Sequence, residues 1–215
     1  MLVHKEILLP TQLRVLEQLG PFAASRSFYL GGGTAIALHL GHRRSDDLDW
    51  FTSEIIEAPD RLAADLQQGG IPFVVEDISP GTLHGNVSEV NTSFLQYSYP
   101  LLGELHQAPE LGCQLASLDD LAAMKLAAIS QRGSRKDFLD IYELGIKYAS
   151  IERMLELYKQ KYAVEDIGHV LLALSYFDDA EREPMPIVMR DVNWGDVKKM
   201  IQSWVKGYGR HHDQT

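Results

Sequence analysis

Three consecutive glycines, Gly31, Gly32 and Gly33, separate an apolar run that ends at Leu30 from a segment with helical character. Such an apolar run predicts a short buried strand, and residues without side chains let the backbone turn sharply into the helix. The first N–H groups of a helix lack intrahelical acceptors, and the helix dipole makes that end positive. We therefore predict a phosphate-binding turn at Gly32 and Gly33, to which Thr34 adds a hydroxyl.

Two aspartates follow one helix later, in the run Asp47-Leu48-Asp49-Trp50-Phe51. Residues two apart on a strand share a face, so Asp47 and Asp49 point one way and Leu48 points into a core. A solvated charged turn is the alternative, because Arg43 to Asp46 precede the pair. Two carboxylates beside a phosphate site suit Mg²⁺-dependent phosphoryl or nucleotidyl transfer, and burying them without a cation is costly. We predict that Asp47 and Asp49 bind metal.

A second group of charged residues lies between Ala123 and Asp140. Lys125 stands in an apolar segment, where its amine either reaches the surface or faces an anion. Asp137 comes three residues after Ser134, so it is either a capping carboxylate or part of a site. Asp140 equally fits an ion pair with Arg135 or Lys136 one turn back. These residues alone support structural and functional roles equally.

Several classes of protein are disfavoured. Ile36 stands where a dinucleotide-binding fingerprint needs its third glycine, and no Gly-Lys-Ser/Thr follows, which argues against a P-loop. Cys113 is the only cysteine, so an intrachain disulfide is excluded. The formal charge of −10 argues against broad DNA binding. Without an apolar run long enough for a membrane span or a signal peptide, we expect a cytoplasmic protein that does not bind membranes.

The chain divides by its predicted secondary structure. The first part mixes helices and strands, including a helix that ends at Gly20-Pro21 and a hairpin joined at Asn91-Thr92. Helices dominate from Ser117 onward. We therefore predict an α+β fold in which an N-terminal mixed β-sheet flanked by helices occupies residues 1–115. A C-terminal helical bundle, residues 116–215, completes the active-site cleft.

Together these motifs resemble the AbiEii/AbiGii-type nucleotidyltransferases, a family within the DNA polymerase β-like nucleotidyltransferase superfamily. The residues that carry the resemblance are Gly32-Gly33-Thr34-Ala35, the run Gly41 to Phe51, Met124-Lys125, Arg132 and Lys136 to Asp140. The likeness extends to Tyr176 to Ala180 and so covers most of the chain. It implies a small catalytic domain with a mixed sheet, followed by a helical bundle.

The resemblance also implies roles for single residues. Gly33 and Thr34, with Gly32, would hold the triphosphate of an NTP, and Lys125 would contact phosphate. Asp47 and Asp49 would bind Mg²⁺ or Mn²⁺, and Asp137 would complete the acidic site. Four further residues would support the site: Arg43, Ser45, Lys136 and Asp140. The superfamily often carries a third carboxylate on a central strand, whereas this chain offers Ser93 and Gln96 there.

The family further implies that a nucleotide moves from an NTP to an acceptor hydroxyl on RNA, tRNA or protein. Some members are toxins of toxin–antitoxin or phage-abortive pairs, so an antitoxin is an expected partner. A catalytically silent protein of the same fold, which binds a nucleotide or a partner chain, is the alternative. It would be stabilised by NTP without forming a product.

Overall fold

A seven-stranded mixed sheet forms the centre of the N-terminal half in the computed structural model, which describes residues 3–212 and the side chains of residues 3–210. Its strands follow the chain as β1 (Tyr29–Leu30), β2 (Leu48–Thr52), β3 (Phe73–Ser79), β4 (Thr82–Val87), β5 (Val90–Gln96), β6 (His106–Ala108) and β7 (Cys113–Leu115). Across the sheet the order is β3-β4-β5-β2-β1-β7-β6. Strand β2 pairs parallel with β5 and antiparallel with β1, which places it near the middle.

Helices flank the sheet and then form a bundle. Those within the N-terminal half are α1 (Pro10–Ala24), α2 (Gly32–Leu40) and α3 (Pro59–Gln68). The bundle consists of α4 (Leu118–Gln131), α5 (Arg135–Lys147), α6 (Ile151–Tyr162), α7 (Gly168–Ser175), α8 (Asp178–Arg182) and α9 (Trp194–His212). The predicted α+β class, with a mixed sheet followed by a helical bundle, is confirmed.

Alternation along β2 assigns its side chains to two different cores. Leu48 and Trp50 belong to the core that α1 and α3 form with the sheet. Phe51 belongs to the core shared with the helical bundle, and Asp49 lies on that same face. The predicted inward direction of Leu48 is therefore correct, and the helical bundle faces the carboxylate of Asp49.

Two sequence-based boundaries were wrong. Helix α1 does not stop at Gly20-Pro21 but continues to Ala24, with Pro21 inside it. Packing offsets the lost hydrogen bond, because Gly20 lies directly against the backbone of Leu111 and Gly112. The hairpin turn falls at Ser88 and Glu89, not at Asn91-Thr92; both turn residues have positive φ, 50° and 66°.

The sheet ends at Leu115 and α4 begins at Leu118, close to the predicted boundary at residue 115. The two parts are nonetheless joined. The N–H of Arg44 donates to the carbonyl of Ile187, and the N–H of Met189 donates to the carbonyl of His42, both over 2.8 Å. The domain division stays a prediction, and its residues 1–2 and 213–215 lie outside the described residues. Within residues 3–212, none of the helices combines the length and the apolar character that a membrane span requires.

Candidate active site

The glycine turn between β1 and α2 makes room for two functional side chains. A Cβ added to Gly32 would stand 2.6 Å from Oδ2 of Asp49, and one added to Gly33 would stand 2.5 Å from Nη2 of Arg43. Gly32 also has a φ of 63°, which favours glycine. The glycines therefore bring the N-terminus of α2 into contact with a carboxylate and a guanidinium, beyond their predicted role as a turn.

Asp47 and Asp49 line one cavity with a volume of about 320 Å³. Asp49 lies within β2, and Asp47 lies just before its first residue. Burial raises the pKa of Asp49, and the negative charge of Asp47 raises it further, while Lys125 and Ser93 partly oppose the shift. The cavity thus holds an incompletely compensated negative charge.

Asp47 is more open and has two polar neighbours. Asn91 Nδ2 donates to its Oδ1 over 3.1 Å, and Lys136 Nζ lies 3.6 Å from its Oδ2. Because the side chains of Asp47 and Lys136 are both well exposed, this ion pair is weak and free to rearrange. These two contacts orient the carboxylate of Asp47 and leave it accessible from the cavity.

The hydroxyl of Thr34 has a different role from the predicted one. It is buried and donates to the main-chain carbonyl of Asp47. The hydrogen bond of Thr34 therefore connects the start of α2 to the main chain at Asp47. Any contact between Thr34 and a phosphate is left to its backbone N–H, at the N-terminus of the helix.

Lys125 is buried on α4 between two carboxylates of α5. Its Nζ lies 2.8 Å from Oδ1 of Asp137 and 2.9 Å from Oδ2 of Asp140. Burial lowers the pKa of Lys125, but the charges of Asp140 and Asp137 outweigh this effect and the net shift is upward. A lysine ammonium has three N–H donors, so one remains for an anion in the cavity that Lys125 lines.

Asp137 is enclosed by donors. Arg132 Nε lies 2.9 Å from its Oδ2, and the Ser134 hydroxyl donates to the same oxygen over 2.6 Å. Burial raises its pKa, but Lys125 and Arg132 more than reverse this, and the pKa falls well below its usual range. Asp137 thus orients Lys125 and Arg132, and its contact with Ser134 joins the two side chains without capping the helix.

Asp140 accepts from Arg43 and His42 in addition to Lys125. Arg43 binds it through Nε at 2.6 Å and Nη2 at 2.8 Å, and His42 Nε2 lies 2.8 Å from its Oδ1. The suggested pairing of Asp140 with Arg135 or Lys136 was wrong, because the Arg135 side chain donates to the carbonyls of Ala180 and Glu181 and Lys136 lies beside Asp47. Burial raises the pKa of Asp140, but the charges of Arg43 and Lys125 lower it well below the usual value.

The structure brings most of the predicted residues to one cavity. Those that line it are Gly33, Arg43, Ser45, Asp47, Asp49, Lys125, Arg132 and Lys136. Gly32 lines an adjoining, more apolar cavity that also includes Met124 and Tyr97. Thr34, Asp137 and Asp140 do not line either cavity; they hold the lining residues in place.

Sequence reasoning missed five lining residues: Glu76, His84, Gly85, Asn91 and Thr92. Asn91 was interpreted as a turn residue, but it lies on β5 and reaches Asp47. His84 lies outside every sequence motif described above. Strand alternation was the available signal, since His84 and Ser93 face each other in the β4–β5 ladder.

The residues present fit a divalent cation bound together with a nucleotide. No group of three or more His, Cys, Asp or Glu side chains among the described residues could form a metal site by itself. Mg²⁺ does not need such a cage, because it commonly uses one or two carboxylates and completes its shell with water and substrate phosphates. The uncompensated charge of Asp49 beside Asp47 suits a cation of this kind.

Comparison with known families gives a match over most of the chain. The family described as "Nucleotidyl transferase AbiEii toxin, Type IV TA system" matches residues 14–101 and 89–204. An uncharacterised protein of Aquifex aeolicus (strain VF5) is 34% identical over 204 residues, which cover 92% of this chain and 95% of that protein.

Two solved structures share the fold. A candidate nucleotidyltransferase from H. pylori aligns with a TM-score of 0.52 at 12% identity and covers 98% of this chain and 95% of that one. The nucleotidyltransferase toxin MenT4 from Mycobacterium tuberculosis H37Rv aligns with a TM-score of 0.51 at 16% identity, covering 91% and 82%. Similarity at this level of identity concerns the fold.

Proposed function

We propose that this chain, which belongs to the AbiEii nucleotidyl transferase family, moves a nucleoside monophosphate from an NTP to an acceptor hydroxyl with the help of Mg²⁺ or Mn²⁺. Membership makes the chain a nucleotidyltransferase; the metal, the acceptor and the residue roles are our proposal. One observation carries it: Asp47, Asp49 and Lys125 line the same cavity, at the N-terminus of α2.

Asp47 and Asp49 would hold the cation, which would supply charge neutralisation and orient the reacting oxygens. Asp49, which is partly buried, is held on β2, while Asp47 keeps contact with Asn91 and Lys136. A cation between the two carboxylates would relieve their mutual repulsion. Binding of the cation and of the nucleotide is therefore expected to be mutually favourable.

The triphosphate would lie between the start of α2 and the cationic side chains of the cavity. The remaining N–H of Lys125 and the half-exposed guanidinium of Arg132 would bind the β- and γ-phosphates. As the acceptor oxygen bonds to the α-phosphorus, the bond to the bridging oxygen breaks and pyrophosphate leaves. Lys125 and Arg132 would stabilise the charge that develops on that leaving group.

For the acceptor we propose an RNA, such as a tRNA, with protein as the alternative. The rim of the cavity carries two half-exposed cations, Arg132 and Lys136, which suit a polyanion locally although the chain as a whole has a charge of −10. We further propose that the protein acts in the cytoplasm as a toxin restrained by an antitoxin, in line with the family description.

The test is incubation of the purified protein with each α-³²P-labelled NTP, Mg²⁺ or Mn²⁺, and total cellular RNA or protein. We expect a single NTP to label one RNA class, with loss of label when the cation is chelated. Stabilisation by NTP without any labelled product would instead identify a silent nucleotide-binding protein. Growth arrest on expression, relieved by a neighbouring small reading frame, tests the toxin role.

A further inference from the structure

A row of polar side chains crosses the sheet beside the candidate site. Ser93 on β5 pairs directly with Asp49 on β2 and, on its other side, with His84 on β4. Directly opposed residues on neighbouring strands point to the same face. Asp49, Ser93 and His84 therefore lie side by side on the face that lines the cavity.

The hydrogen bonds along this row have a defined direction. Ser93 stands directly opposite Asp49 in the strand register, and hydrogen bonding by Ser93 opposes the raised pKa of Asp49. An ionised carboxylate only accepts, so in such a bond the Ser93 hydroxyl is the donor. The Ser93 oxygen then accepts from His84 Nδ1, which lies 2.9 Å away. In a neutral imidazole one nitrogen carries hydrogen and the other has a free lone pair. When the Ser93 hydroxyl donates to Asp49, the hydrogen of His84 is therefore on Nδ1 and the free lone pair is on Nε2.

His84 also lies at the junction of two cavities. It lines the one that holds Asp47 and Asp49, and it lines the adjoining apolar one. Asp77 on β3 stands opposite His84 on the outer side of the row, but the hydrogen bond of the ring goes to Ser93. A molecule that brings the acceptor hydroxyl into either cavity would therefore pass the imidazole of His84.

We propose that His84 is the catalytic base of the reaction, positioned by Ser93, an inference that rests on the proposed function. The acceptor hydroxyl binds through its hydrogen to Nε2. Its oxygen then forms the new bond to the α-phosphorus, its proton passes to Nε2, and pyrophosphate leaves with the electron pair of the broken P–O bond. A serine–histidine pair thus provides proton acceptance beside β5, the strand on which this chain has Ser93 and no third carboxylate.

Two independent measurements test the proposal. The first is ¹⁵N NMR of the cation-free protein at a pH where histidine is neutral, with the His84 signals assigned by their absence in His84→Gln. We expect the Nδ1–H tautomer in the wild type, its loss in Ser93→Ala and its retention in Ser93→Thr. A predominant Nε2–H tautomer in the wild type would overturn the proposal whether or not transfer is detected.

The second measurement is steady-state transfer of labelled nucleotide. His84→Gln should lower kcat by about 10²-fold, the lower range for a general base, because proton removal is lost. The KM for NTP should stay within about twofold, because His84 does not hold the triphosphate. The matched control is His106→Gln, since His106 is also half-buried on a strand of the same sheet but outside the cavity, and it should leave kcat unchanged.

The outcomes separate this inference from the function on which it rests. If the wild type transfers nucleotide and folded His84→Gln keeps most of its kcat, only the role of His84 is contradicted. If the wild type transfers no nucleotide from any NTP, the proposed function is contradicted and the role of His84 with it. Circular dichroism of each variant establishes that the comparison concerns folded protein.

Discussion

Arg43 and Asp140 form a buried two-point ion pair although they lie 97 residues apart in the chain. The guanidinium of Arg43 also occupies the space that Gly33 leaves open. Asp140 in turn contacts Lys125, so one carboxylate on α5 positions two of the cations that line the cavity. The helical bundle thereby fixes the geometry of the N-terminal half-site.

Replacing Asp140 with asparagine tests this connection. Asp140→Asn keeps the volume but leaves Arg43 and Lys125 without their shared countercharge, so we expect the free energy of unfolding to fall by about 3–5 kcal/mol. Urea denaturation measures the change. Asp46→Asn is the control, since Asp46 is exposed in the same motif and should alter stability by no more than about 0.5 kcal/mol. Equal losses of unfolding free energy in Asp140→Asn and Asp46→Asn would contradict a stabilising role for the ion pair between Arg43 and Asp140.

Two buried lysines allow stability and function to be separated. Lys125 pairs with Asp137 in the site, whereas Lys161 pairs with Asp120 over 2.7 Å inside the bundle. Replacing either by methionine should cost about 3–5 kcal/mol of stability, because a buried carboxylate loses its partner. Only Lys125→Met should lower kcat, by about 10²-fold or more, because it removes a donor to the leaving group.

Nucleotide transfer normalised to the folded fraction checks that difference. The folded fraction of Lys161→Met should have nearly wild-type kcat. A similar loss of kcat in both variants would mean that Lys125 acts only through stability.

The glycine turn should not tolerate a methyl group. Gly33→Ala would push against the Arg43 guanidinium, with an expected cost of about 1–3 kcal/mol and a weaker interaction with NTP. Gly207→Ala, on α9 with open space around the new methyl, should instead raise stability by about 0.5–1 kcal/mol. Thermal unfolding with and without NTP measures both effects. Unchanged stability and NTP response in Gly33→Ala would contradict the packing described.

The raised pKa of Asp49 predicts a pH-dependent cost. A carboxyl whose pKa is higher in the folded state is destabilising once ionised, and the cost disappears as pH falls through that raised pKa. Without cations, Asp49→Asn should therefore be more stable than the wild type at neutral pH, and the difference should shrink on acidification. Asp137 and Asp140 have lowered pKa values and lose their stabilising effect in acid, but both proteins share that loss.

Addition of Mg²⁺ with NTP should reverse the order of stability of these two proteins, because only the wild type retains both carboxylates. Thermal unfolding across pH, with and without the cation, records both effects. A wild type that is more stable than Asp49→Asn at neutral pH without any cation would contradict the proposed uncompensated charge.

Local sequence patterns were sufficient for the turn at Gly32 and Gly33 and for the opposite directions of Leu48 and Asp49, because both depend on neighbours along the chain. They could not predict that Asp140 binds Arg43, since that pair depends on how α5 packs against the segment after α2. The turn at Ser88 and Glu89 was missed because neither residue type signals positive φ.

The residues that line the cavity likewise depend on contacts between distant segments, which local sequence patterns do not predict. His84 had no motif around it, and only the register of β4 against β5 places it beside Ser93 and Asp49. Thr34 was correctly placed at the start of α2, yet the direction of its hydroxyl depends on the path of the chain at Asp47. The position of a residue in the site was therefore predictable where a local motif specified it. The hydrogen-bond partners of its side chain were not, because they depend on the packing of distant segments.

In the proposed function, Asp47 and Asp49 together hold the cation on which nucleotidyl transfer depends. The most direct measurement compares the wild type with the double variant Asp47→Asn/Asp49→Asn in Mg²⁺-dependent incorporation of labelled nucleotide, with circular dichroism as the control for folding. We expect transfer by the wild type and none by the folded double variant. Undiminished transfer by the double variant would contradict the account.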